Sequence, residues 1–176
     1  MVDLPLRQDA GGGRVGQSKR EHRVMSFWEI VLRLGAATVI GGAIGLNREL
    51  HGKATGLRTL GLVALGSALI VLGAIDLVPN DSNAVSRVVQ GVLTGIGFLG
   101  AGVILHVDSS VRGVHGLTTA ACTWLTACVG IVCGIGNWPL LGVAVVLLFL
   151  LLMFGGPIER MFERRFGRPE DAKPAK

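Results

Sequence analysis

From Gly113 to Pro157 the chain carries no Lys, Arg, Asp or Glu, and the run is interrupted only by the turn Gly136-Asn137-Trp138-Pro139. Each half is about 20 residues, the length an α-helix needs to cross a bilayer. A stretch of this kind sets the solvent as lipid. Charged residues then become the costly exceptions, and glycines are contact surfaces before they are phosphate loops.

Composition agrees with that reading. Half of the residues are hydrophobic and only 16% are charged, against about 25% in a soluble domain. Mean hydropathy is +0.58. Glycine accounts for 27 of 176 residues, well above the usual ~7%, and in membrane bundles glycine lets helix backbones approach. The net charge of +5 would suit nucleic acid in a soluble protein. Here the basic residues lie in tails and loops beside apolar runs, and no aromatic interleaving accompanies them. Anionic headgroups of membrane lipids are therefore the expected partner, and nucleic acid is not.

Five spans are expected, at about residues 27–46, 58–76, 87–106, 117–135 and 138–154. The fold class is all-α, a polytopic integral membrane bundle of about five transmembrane helices. Residues 1–24 are polar, basic and Gly-rich, with no means of forming a packed core, and read as a disordered or mis-assigned leader before Met25. Residues 25–157 form the membrane domain. Residues 158–176 are a short basic tail whose first part, 158–166, is amphipathic and suited to lie along the membrane surface.

Lys and Arg are enriched in cytoplasmic loops. With the N-terminus periplasmic and the C-terminus cytoplasmic, the inner face holds ten basic residues: Arg48, Lys53, Arg58, Arg112, Arg160, Arg164, Arg165, Arg168, Lys173 and Lys176. The outer face holds Arg87, joined by five more if the leader counts. Both tallies favour this orientation.

Several motifs lose their usual meaning in this setting. Gly95-Ile96-Gly97-Phe98-Leu99-Gly100 has the dinucleotide pattern G-x-G-x-x-G, which requires a preceding strand, a following helix and an acidic residue about 20 positions on. It lies inside an apolar span instead, so no cofactor is expected. Gly91, Gly95, Gly97, Gly100 and Gly102 read as a small-residue surface for helix contact, as do Gly41 with Gly45 and Gly130 with Gly134. Cys122, Cys128 and Cys133 lack zinc-site spacing and companion ligands, and read as small core residues. Asp76, Asn80 and Asp81 in the second loop are weak candidates for a divalent cation, and His106, Asp108 and His115 in the third for a divalent cation or a proton site; turn and loop roles compete with that reading. Ser67, Thr94, Thr118 and Thr119 are expected to bond helix to helix or back to their own backbone. No nucleophile–base pair is present, and no enzymatic activity is expected.

The polar residues in or beside the spans carry more weight. Glu29 and Arg33 form an (i, i+4) pair on the first helix. Asn47, Arg48, Glu49, Arg58 and Arg87 are expected to form a functional polar network, with those around the first turn meeting at the cytoplasmic edge, because unpaired charge near lipid is costly.

Several of these segments also carry a resemblance. Ile44-Gly45-Leu46-Asn47-Arg48-Glu49, Gly56-Leu57-Arg58-Thr59 and Leu65-Gly66-Ser67-Ala68-Leu69 resemble the opening of the MgtC/SapB family. Gly95 to Gly102, Gly116-Leu117-Thr118-Thr119-Ala120-Ala121 and Trp124 are similar to its second block, in matching order over about residues 28–154. The resemblance implies a bacterial inner-membrane protein of about five helices, associated with adaptation to low Mg²⁺ and, in pathogens, with survival inside macrophages. It implies regulation of other membrane proteins, such as the F-type ATP synthase, and allows a homo-oligomer; the alternative is a transporter or channel for Mg²⁺ or another small ion. Asn47 stands where the family commonly has Glu, which removes one of two carboxylates. The virulence branch carries a cytoplasmic domain after its last span, so a general family member is expected here.

Overall fold

The computed structural model describes residues 25–53, 55–79, 81–105 and 116–165. They form five α-helices: α1 (Phe27–Leu50), α2 (Leu57–Leu77), α3 (Ser82–Leu105), α4 (Leu117–Ile135) and α5 (Trp138–Arg165). All five contain a stretch long and apolar enough to cross a membrane, and no strand occurs among the described residues. The protein is thus an all-α, multi-pass membrane bundle. The short α1–α2, α2–α3 and α4–α5 connections turn the chain back on itself. The ends of α3 and α4 also meet, since Gly116 lies against Val103 and Ile104.

Helix ends run further than the charge pattern suggests. α1 continues to Leu50, through Arg48 and Glu49, and α3 begins at Ser82, which puts Arg87 inside its first turns. α5 continues past Pro157 to Arg165, so the amphipathic segment expected after the last span prolongs that helix. The turn at Gly136 has a plain local cause. Gly136 adopts φ +82°, a left-handed conformation that closes α4, and its amide reaches the carbonyls of Val132 and Cys133. Asn137 then caps α5, its Oδ1 accepting from the Leu140 amide at 3.2 Å, while Pro139 sits in the first turn, where a missing N–H costs nothing.

α2 is the axis of the bundle, clamped between α1 and α4. Its small residues Gly61, Ala64, Ser67 and Ala68 are all buried. A Cβ on Gly41 of α1 would lie 2.6 Å from Ala64 Cβ and 2.8 Å from the Leu60 carbonyl oxygen. One on Gly45 would lie 2.6 Å from the Gly56 oxygen. From the other side, a Cβ on Gly130 of α4 would lie 2.9 Å from both Ala64 Cα and Ser67 Cβ, and one on Gly134 would lie 2.8 Å from the Ala68 oxygen. Two G-x-x-x-G pairs, on different helices, thus grip one small-residue helix. Between helices in lipid, close van der Waals packing is the chief attraction, because tails are as apolar as the side chains.

The glycines of α3 behave differently. A Cβ on Gly91, Gly95, Gly97 or Gly102 would meet nothing within 4 Å, and one on Gly100 would make ordinary contact with Ala120 at 3.5 Å. The expected contact surface on α3 is therefore reduced, within this chain, to Gly100. The rest is open groove or outer surface. α3 is the least buried helix and α4 the most.

Candidate functional site

Among the described residues Arg48 is the one charged residue in the buried core, 3% exposed. It sits seven, four and three residues after Gly41, Ile44 and Gly45, all buried, so helical periodicity places it on the packed face of α1. Its side chain crosses to α4. Nη2 donates to Thr119 Oγ1 at 2.5 Å and Nη1 to Cys122 Sγ at 3.2 Å. Nε is buried without a partner. Among the described residues no carboxylate pairs with it, and the two acceptors seen are neutral dipoles.

Glu49, the next residue, points away by the roughly 100° that one helical step imposes. Its Oε2 accepts from the Leu57 amide at 3.2 Å, and a Cβ on Gly56 would lie 2.7 Å from that oxygen. A carboxylate at the start of α2 complements the positive end of the helix dipole and satisfies one of its orphan amides. Glu49 thus reaches back as a cap for α2 rather than across to Arg48.

The opposite end of the bundle has the complementary device. Arg33 of α1 donates through Nη1 to the carbonyls of Gly134 and Ile135, at 2.8 and 3.2 Å, where α4 ends. Its Nη2 pairs with Glu29. The cation faces the negative end of the α4 dipole, and Glu29 neutralises it. A Cβ on Gly136 would lie 2.7 Å from the guanidinium carbon, so the α4–α5 turn packs directly on Arg33.

The remaining expected site residues disperse. Arg58 is exposed and borders the apolar groove between α1 and α2. Arg87 is exposed on α3, and the element directions put it at the far end of the bundle from Arg48. Asn47 is half-buried, with its carbonyl 2.7 Å from His51 Nδ1. The single network expected of Asn47, Arg48, Glu49, Arg58 and Arg87 is therefore not formed, since adjacent helical positions point to different neighbours. Asp81 Oδ1 accepts from the amides of Asn83 and Ala84 at 2.9 and 3.2 Å, which makes it the cap of α3. Asp76 is exposed near the end of α2. His106 and Asp108 lie outside the described residues. Among the described residues no group of three His, Cys, Asp or Glu is placed to hold a metal.

Several hydroxyls are satisfied within their own helix, while Thr55 Oγ1 is buried without a partner among the described residues. Ser67, Thr94, Thr123 and Thr126 donate to the carbonyls of Val63, Gln90, Thr119 and Cys122, four residues back. Thr119 bonds across helices, as the acceptor of Arg48. The sequence marked Cys122 as a small core residue and Thr119 as a hydroxyl bonding between helices or to its own backbone, and linked neither to Arg48. The linking signal was available only for Arg48, in its register with Gly41, Ile44 and Gly45.

Beside Arg48 lies a cavity of about 610 Å³ between the end of α1, the first half of α4 and the second half of α5. Asn47, Arg48, His51 and Lys53 form its polar side, and Leu125, Leu148, Leu151 and Leu152 much of its apolar side. Among the described residues no carboxylate lines it.

The MgtC family model matches residues 34–161. SrpB of Synechococcus elongatus is 48% identical over 117 residues, 61% of this chain and 64% of SrpB. MgtC of Salmonella typhimurium is 39% identical over 118 residues, 67% of this chain and 48% of MgtC. YhiD of Escherichia coli strain K12, provisionally a magnesium transporter by name, is 42% identical over 118 residues, 64% of this chain and 54% of YhiD. The chain thus spans between about half and two thirds of the length of these relatives. No solved structure matches it.

Proposed function

The chain belongs to the MgtC family, and from that premise we propose that it is a non-enzymatic protein of the bacterial inner membrane that serves adaptation to low magnesium by regulating other membrane proteins. The observation that carries this reading is the charge of the bundle's polar cavity. Among the described residues its ionised lining side chains are Arg48 and Lys53. Cation pathways use carboxylates or exposed carbonyls at depth, whereas a cavity walled by arginine and lysine repels a dication. Regulation by contact uses what the bundle offers in quantity, namely apolar helix faces such as the open side of α3.

The F-type ATP synthase is the partner class suggested by the family resemblance. Membrane proteins crosslinked to the tagged chain in cells shifted to low Mg²⁺ test it. ATP synthase subunits recovered above the level found in high Mg²⁺ support the reading. Growth at low Mg²⁺ restored by the chain with no crosslinked membrane protein contradicts regulation by contact. The name of YhiD favours a second reading, magnesium transport by the chain itself, which a flux measurement separates from the first.

A further inference from the structure

Arg48 poses a problem of charge balance. A guanidinium has five N–H donors. Two bonds are seen, to a hydroxyl and to a thiol, a weak acceptor. Nε is buried and unpartnered, and the residue is 3% exposed. Burying a cation is costly unless it is paired, and Glu49, the nearest acid in sequence, is engaged with α2. The residue also forms part of the wall of the 610 Å³ cavity, a size typical of ligand sites.

The cavity has two chemical halves. Asn47, Arg48 and Lys53 offer donors and positive charge at the end of the bundle, while Leu148, Leu151 and Leu152 continue along α5 toward the middle of the span. Leu151 is exposed on the bundle surface, so the apolar half is open to the acyl region. An occupant must therefore be an anion at one end and a hydrocarbon at the other. We propose that the cavity binds one anionic glycerophospholipid from the surrounding leaflet, its phosphate facing Arg48 and Lys53 and an acyl chain lying along α5. Basic pockets between transmembrane helices recognise acidic headgroups by this chemistry. The site does not depend on which membrane protein, if any, the chain regulates.

The test uses the full chain, purified in mild detergent and delipidated, with thermal stability followed as lipid is added. Phosphatidylglycerol is expected to raise Tm saturably, and phosphatidylcholine of the same chains is not. Lys53→Gln, at an exposed position, weakens the phosphatidylglycerol response about fivefold. Arg48→Gln weakens it about thirtyfold or more, as expected for a buried charge contact. Ala121→Phe fills the cavity from α4 and abolishes the selective response in a folded protein, which keeps the test decisive if Arg48→Gln does not fold. Equal responses to the two lipids overturn the proposal. So does full stabilisation by inorganic phosphate or by an acidic peptide without lipid, or a wild-type response in Ala121→Phe.

Discussion

Gly130→Ala adds a single methyl group to α4 where it faces α2. The new carbon would press closest on the Ala64 carbonyl oxygen, and would lie 2.9 Å from Ala64 Cα and 2.9 Å from Ser67 Cβ. Carbon atoms prefer about 3.5–4.0 Å, so the two helices must separate by roughly 0.6–1 Å. The obstructing atoms include α2 backbone, which has no rotamer to yield. Overpacking of this kind costs about 1–3 kcal/mol. Alanine returns up to about 1 kcal/mol through helix propensity, leaving a net loss of roughly 1–2 kcal/mol. The loosened contact also carries Gly134 on the same face. Gly97→Ala is the matched control. It gains the same propensity, and its Cβ meets nothing within 4 Å, so it should be neutral or slightly stabilising. Reversible unfolding of both variants in mixed micelles, titrated with denaturing detergent, measures the difference. Gly130→Ala at or above wild-type stability, or Gly97→Ala as damaged as Gly130→Ala, would refute the view that α2 is held by glycine contacts from α4 while α3 keeps an open face.

Three further outcomes are expected. Arg33→Gln removes the cation at the end of α4 and strands Glu29; a loss of about 1–2 kcal/mol should appear in the same unfolding titration, with partial rescue by Arg33→Lys. Glu49→Gln weakens only the charge at the start of α2, so it should cost about 0.3–1 kcal/mol and leave the Arg48-dependent lipid response intact. A reporter fused in the 78–81 loop should read periplasmic and one fused after Lys176 cytoplasmic, as the distribution of basic residues requires; the reverse pattern would invert the proposed topology.

The spans were legible because lipid demands long runs without charge, and 113–157 could meet that demand only as two helices with Gly136 and Pro139 at the join. The ends were less legible. A helix keeps its hydrogen bonds after the apolar run stops, so Arg48, Glu49 and Arg87 lie within helices rather than beside them. The glycine pairs show the deeper limit. Gly41/Gly45, Gly91/Gly95 and Gly130/Gly134 look alike in sequence, yet the first and last pairs press against α2 while the middle pair faces open space. In water, polarity would mark the outer face. In lipid both faces are apolar, and only the three-dimensional arrangement separates them. The polar residues failed as a network for another reason. Arg48 and Glu49 are sequence neighbours, and one helical step of roughly 100° sends the first to α4 and the second to α2.

Magnesium flux in proteoliposomes containing only this protein tests the functional account most directly. Vesicles loaded with a Mg²⁺-sensitive dye and facing an inward gradient should show uptake no faster than protein-free vesicles, with or without a membrane potential, while the same preparation retains its helical content and its selective stabilisation by phosphatidylglycerol. Saturable Mg²⁺ uptake proportional to the amount of protein would contradict the regulatory reading and establish the chain as a transporter.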